Sequence, residues 1–372
     1  MSSSTSPKDQ AEHYAYLEKY SRTSKTWTPR ISPRTVAHAQ RALDAIRKGQ
    51  ETSLEMMECV ISLPAYPYDL HILNDPGLVR ACITRLSQLQ QKDSLQPFGY
   101  EQGYLLFRII IVCIAVLLLY RDPNYYEWVI EQMLMNRGST DPYILLMEHS
   151  RAAIGIVAAG CSQGHRSIES FLGWSSDSLL QPLIPQSAGL ALLDVLWKDR
   201  KGFLRAWAET YSPELYSIIA ILWRCVESAG TFARRVALMD IIGRYSLVME
   251  ADSYYLRGLK DKIIHGPYES AMPMAGCHRV DLEDSRMALR IYISRFGLDS
   301  ASDKTPTLAH ACYLLRYLFP FPDKITKGTE DLFAPVLRVT CEYFWLVAAR
   351  KAPQNDVGLE PEDSSSIVLT IW

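Results

Sequence analysis

The stretch LLFRIIIVCIAVLLLY, from Leu105 to Tyr120, decides the fold. Ile109 to Tyr120 is an unbroken apolar run, and Leu105 to Phe107 extends it across one charge, Arg108. Crossing a bilayer takes about 20 apolar residues, and runs of about 10–14 are usually buried core helices. An Arg inside a span adds about 3 kcal/mol to the cost of insertion. Residues 105–120 are therefore expected to form the central, buried helix of a large helical core, with membrane insertion of the same stretch as the competing reading.

Helical punctuation recurs on both sides of this stretch. A short polar residue followed by Pro starts a helix well, because the side chain caps free N–H groups and Pro is pre-set for the first turn. The pair occurs at Ser32-Pro33, Asp75-Pro76, Asp122-Pro123, Asp141-Pro142, Ser212-Pro213 and Thr305-Pro306. Apolar residues then recur at helical spacing: Val36, Ala39, Leu43 and Ile46 before a stop at Gly49; Val79, Cys82, Leu86 and Leu89; Leu215, Ile218, Leu222 and Val226; Leu308, Cys312, Leu315 and Phe319. Further helices are expected near 185–209, 231–250, 281–296 and 329–350, and the clearest internal loop at 266–280. Two-residue alternation is nearly absent, and no Asn-Gly or Asp-Gly hairpin turn occurs. The 45 Leu against 17 Val lean the same way.

The reading is all-α: roughly fourteen helices in one large domain over residues 31–350, arranged as antiparallel pairs. Two arrangements stay open. Pairs of about 40–47 residues build HEAT- and armadillo-type solenoids, and the starts at Asp75 and Asp122 are 47 apart. Asp141 follows only 19 residues later, which fits an irregular helical globule instead. Residues 1–30 read as a mostly disordered Ser/Thr-rich tail, with a short helix expected over Tyr14–Tyr20. Residues 351–372 read as an acidic tail.

The 372 residues carry a net charge of −2, with 48% hydrophobic and 22% charged residues. That balance excludes a strongly basic nucleic-acid binder, an acidic disordered chain and a fibrous repeat. The eight cysteines are at least 23 positions apart, too far for a CxxC knuckle or redox pair. They read as free, mostly buried thiols of a reducing compartment. With no Asn-x-Ser/Thr sequon and no apolar signal segment near Met1, the expectation is an intracellular protein, cytoplasmic or nuclear.

The sharpest catalytic match is Gly160-Cys161-Ser162-Gln163-Gly164, which fits the G-x-S-x-G nucleophile elbow. A serine hydrolase would present Ser162 on a turn after a strand at Ile154-Gly155-Ile156-Val157. It would draw on Asp194 or Asp240, and on His265, His278 or His310. The same five residues also read as a helix end. Asp281-Leu282-Glu283-Asp284 is acidic but sits at a helix start, where acids favour the dipole. Glu148-His149 points its side chains about 100° apart, unlike a di-iron Glu-x-x-His pair. Cys161/His165 and Cys277-His278 supply too few local ligands for a metal. No phosphate loop occurs, so no cofactor is expected. The basic and aromatic residues from Trp197 to Trp207 read as an interhelix junction, aromatics inward and charges solvated, rather than a nucleic-acid platform.

The remaining expectation is a helical interaction or scaffold protein. Its partner would be another protein or a peptide, not nucleic acid or membrane. Tyr125-Tyr126, Tyr254-Tyr255 and Tyr343-Phe344-Trp345 are the candidate exposed anchors.

Overall fold

The computed structural model describes residues 14–21, 33–92, 96–137, 140–158, 168–175, 180–210, 215–249, 281–297, 308–318 and 328–348. The chain is all-α. Among the described residues there is no strand, only two isolated bridges, Ser21 with Thr210 and Arg137 with Thr140. Two units are distinguished, Met1–Ile241 and Ile242–Trp372. The first runs through α1 (Tyr16–Lys19), α2 (Pro33–Arg47), α3 (Leu54–Ile61), 3-10 turns at Leu63–Ala65 and Pro67–Leu73, α4 (Pro76–Lys92), a 3-10 turn at Pro97–Gly99, α5 (Glu101–Leu119), α6 (Pro123–Met135), α7 (Pro142–Ala158), α8 (Ile168–Leu172), α9 (Gln186–Lys198), α10 (Arg200–Glu209) and α11 (Tyr216–Ala229). The helix α12 (Phe232–Val248) spans the boundary, and the second unit continues with α13 (Leu282–Phe296), α14 (Leu308–Leu318) and α15 (Glu330–Ala348).

The apolar stretch forms α5, the axis of the first unit. Every residue from Gly103 to Leu119 is buried, and 94% of its most apolar window lies inside the protein. Helices α3, α4, α6, α7 and α11 all pack on it. Helix α9 in turn packs on α4 and α11. In a solenoid each repeat meets only its neighbours, so this unit has the irregular arrangement built round one central helix. Arg108 is buried with the rest. Its Nη1 donates to the Tyr104 hydroxyl at 2.9 Å, and its guanidinium lies 5.0 Å from the Tyr143 ring, which gives the charge an aromatic lining. Gly103 is dictated by contact: a Cβ there would sit 2.0 Å from the Pro97 carbonyl oxygen, where the 97–99 turn crosses α5.

The helix starts follow the expected chemistry. Asp75, Asp122 and Asp141 each accept a backbone N–H of the turn they open, from Gly77, Tyr125 and Tyr143 at 2.7, 3.2 and 2.8 Å. Gly49 ends the α2 region with φ +69°. Ser212-Pro213 and Thr305-Pro306 lie outside the described residues, as does the 266–280 loop. The 185–209 region is two helices, broken at the buried Asp199. Its carboxylate accepts the N–H of Gly202 at 3.2 Å, capping α10, and that of Phe98 at 2.7 Å. On α14 Leu308 is buried as expected, Cys312 and Leu315 are half-buried, and Phe319 lies outside the described residues; the buried set also takes in His310, Ala311, Tyr313, Leu314, Tyr317 and Leu318.

Within residues 1–30, the short helix expected over Tyr14–Tyr20 is present as α1, and Tyr16, Leu17 and Tyr20 are buried in the packed body. Residues 1–13, 22–30 and 351–372 lie outside the described residues.

In the second unit α13 packs along α15. Tyr292 lies tilted against Phe296 (4.6 Å), Phe296 meets Tyr343 edge-on (5.1 Å), and the Tyr292 hydroxyl is 2.9 Å from Thr340 Oγ1. A bidentate pair joins Arg244 to Asp284 at 2.6 and 2.7 Å, both side chains almost fully buried. Arg295 donates to the carbonyls of Ser246 and Leu247, and His310 Nε2 lies 3.1 Å from the Ser246 carbonyl. These donors satisfy the last turn of α12.

Candidate interaction surface

Helix α15 carries two apolar faces. The inner one, with Leu332, Val339, Thr340 and Tyr343, is buried. The outer one is Phe333, Leu337, Cys341 and Trp345, at successive steps of four and therefore on one stripe. Phe333 is 56% exposed, Leu337 50% and Trp345 71%, and Cys341 is exposed as well. The stripe runs about 18 Å along the axis. The exposed pair Arg338 and Glu342 is interleaved with it, 4.0 Å apart. Leu282, at the start of α13, is exposed too.

The helix is held firmly enough to present this face. Arg286 on α13 forms a bidentate pair with Asp331 (2.7 Å twice) and donates to the Gly328 carbonyl. Gly328 turns into α15 with φ +94°, a conformation that favours glycine. A helix apolar on two opposite sides has one side more than its own fold uses, and contiguous exposed apolar surface marks interaction sites.

A smaller aromatic surface lies on α6 and α7 of the first unit. Trp128 is 45% exposed and stacks on Tyr125 at 5.6 Å. His149 meets Trp128 edge-on at 5.1 Å, and its Nδ1 is 3.2 Å from the Tyr125 hydroxyl. Burial lowers the pKa of His149, with Glu148 opposing the shift, which favours the neutral ring beside that hydroxyl.

The sequence-derived candidates divide sharply. Ser162 and its whole pentapeptide lie outside the described residues, as do His165, His265, His278, Cys161 and Cys277. The strand expected to present Ser162 is overturned: residues 154–157 are the last turns of α7, where an intact helical ladder satisfies the backbone. Asp194 pairs with Arg234 at 3.1 Å, and Asp240, buried, lies 3.8 Å from Arg200. His310 is buried against a backbone carbonyl. Asp281 does open a helix, accepting the N–H of Asp284 at 2.9 Å. Among the described residues no group of three or more His, Cys, Asp or Glu is placed to hold a metal ion.

The 197–207 segment packs as a junction. Phe203 and Trp207 are buried and stacked at 5.2 Å, and Arg200 covers Trp197 at 4.4 Å. Of the aromatic anchors, Trp345 is exposed, Tyr343 is buried, Phe344 is half-buried, and Tyr254-Tyr255 lie outside the described residues. Sequence reading missed Phe333 and Leu337, although their spacing to Cys341 and Trp345 is a legible signal. Comparison with known proteins finds no matching family model, curated protein or solved structure.

Proposed function

We propose that this chain is a helical interaction protein that binds another protein or a peptide through the outer face of α15. The observation that carries the reading is the exposed stripe Phe333-Leu337-Cys341-Trp345 on a helix whose opposite face is already buried. Large aromatic side chains at the two ends supply the rigid, low-entropy anchors on which interface energy concentrates. The i, i+4 spacing suits a helix or an extended segment laid along the stripe.

The test uses tagged full-length protein recovered from its native cells at mild salt, with co-purifying proteins identified by mass spectrometry. A near-stoichiometric partner is expected with the wild-type chain and at least tenfold less of it with Phe333→Ser/Leu337→Ser/Trp345→Ser. Far-UV circular dichroism of both proteins should coincide, since the replaced side chains are exposed. A partner held at the wild-type level by the folded triple variant overturns the reading.

A further inference from the structure

The segment 14–21 is bound to the rest of the first unit as a peptide is bound to a receptor. Tyr16 and Leu17 are buried side by side, and the Tyr16 hydroxyl donates to the Phe98 carbonyl at 2.5 Å. One turn on, the Tyr20 hydroxyl lies between two carboxylates, 2.5 Å from Glu58 Oε1 and 2.7 Å from Glu101 Oε1. Lys19 Nζ bridges the same two carboxylates at 2.6 and 2.8 Å. Both tyrosine rings lie 5.2 Å from Tyr104, which forms the floor. The walls come from α3, α5 and the 97–99 turn. These elements pack on one another directly: α3 on α5, and the turn on both α5 and α10. The backbone positions that carry Glu58, Glu101 and the Phe98 carbonyl are thus held by contacts the segment does not make.

The segment itself brings a helix of only four residues, far too short to be stable alone in water. Its order therefore comes from docking, as in coupled folding and binding. We propose that this groove is a peptide-binding site, masked in cis by residues 14–21, and that in trans it takes a short helical segment carrying Tyr-Leu-x-x-Tyr. The two buried hydroxyls select tyrosine over phenylalanine at both ends. The paired carboxylates select a basic residue just before the second tyrosine. Tethering gives the cis segment an effective concentration in the millimolar range, so a trans peptide is excluded until the arm is displaced or severed. The site lies in the first unit and stands independently of the α15 stripe.

The experiment uses the full chain with a specific protease site placed between residues 22 and 32, cut only after folding. The probe is a fluorescent synthetic peptide of residues 12–23, followed by anisotropy, with circular dichroism and thermal melting of the body recorded in parallel. On dilution the cut arm is expected to leave, the body to stay helical, and the probe to bind at least tenfold tighter than to the uncut chain. A probe with Tyr20→Phe should bind at least tenfold more weakly, as should the wild-type probe to a cut chain carrying Glu58→Gln and Glu101→Gln. The variant body is checked by its own melt, and the Tyr20→Phe probe tests the same contact without altering the body. The proposal is overturned if the body unfolds when the arm leaves, because the arm is then part of the core. It is equally overturned if the probe binds cut and uncut chains alike, fails to bind the cut chain, or ignores the Tyr20→Phe change. None of these readouts involves α15, so their failure leaves the stripe reading to its own test.

Discussion

At the scale of single residues, two buried carboxylates set opposite tests. Asp284 and Arg244 neutralise each other in the second unit with both oxygens and both terminal nitrogens engaged. Removing one partner takes away the other charge's bidentate counter-ion in the interior, which costs about 3–5 kcal/mol, whereas replacing both with apolar groups costs far less. Asp284→Ala should therefore speed hydrogen exchange of the most protected α13 amides by roughly 10²–10⁴-fold, and Arg244→Met/Asp284→Met should recover most of the protection. An exchange pattern in which the double variant is as damaged as the single one would contradict the pairing. Asp199 tests pH. Burial raises its pKa to about 7 against the two backbone N–H groups of Phe98 and Gly202 that favour the anion. Between the unfolded value near 3.8 and about 7 the folded chain holds a proton that the unfolded chain has lost. Stability contributed by this group is thus fully present below about pH 4 and falls as pH rises to about 7. Asp199→Asn mimics the protonated form, so the urea midpoint of the wild type should drop relative to the variant's between pH 4.5 and 7.5. A difference that stays flat across that range would place the carboxyl pKa elsewhere.

At the scale of elements, the sequence announced α5 because no turn residue interrupts Ile109 to Tyr120, and a run that long buries on every side only as a helix at the centre. The Asp-Pro starts were legible for a local reason: cap and first turn are contiguous in the chain. The short helix of the arm was legible over Tyr14–Tyr20, but its docking was not, because Tyr16 and Tyr20 draw their meaning from Phe98, Glu58 and Glu101, 38 to 82 positions away. The outer face of α15 escaped for a different reason. Leu332, Val339 and Tyr343 form one stripe and Phe333, Leu337 and Trp345 another, and two stripes together blur the periodicity that either alone would show. Element identity also decides the competing readings. Residues 154–157, where a nucleophile elbow would need the strand that strains the serine outward, are helical in α7. A serine-directed fluorophosphonate probe is expected to leave the chain unlabelled, and labelling lost in Ser162→Ala would reverse that expectation. Helix α5 likewise offers lipid almost nothing, since 94% of its apolar window is already covered by protein. Alkaline carbonate washing should leave the chain in the supernatant, and a chain retained in the pellet would mean that residues 105–120 insert.

At the scale of the whole molecule, the cysteines report how the chain's interior is closed. Of the six described, Cys82, Cys113 and Cys225 are buried, Cys59 and Cys312 are half-buried, and Cys341 is exposed on the α15 stripe. A thiol reacts as its thiolate, so two barriers multiply: access to the sulfur and ionisation of the group. Burial raises both for the interior cysteines, pushing the thiols of Cys82 and Cys225 up to about 12 and that of Cys113 well above its usual value. At pH 7.5 a thiol with a pKa near 12 is ionised roughly a thousandfold less than an ordinary one near 9. Brief treatment of the native chain with a maleimide, followed by peptide mapping, should modify Cys341 first, Cys59 and Cys312 more slowly, and Cys82, Cys113 and Cys225 last. In guanidinium the order should collapse, because the unfolded chain exposes all of them alike. The same labelling bears on the α15 reading. A partner seated on Phe333, Leu337 and Trp345 must cover Cys341 between them, so its addition should slow modification of that cysteine while leaving Cys59 unchanged. Unaltered Cys341 reactivity in a saturated complex would place the partner on some other surface.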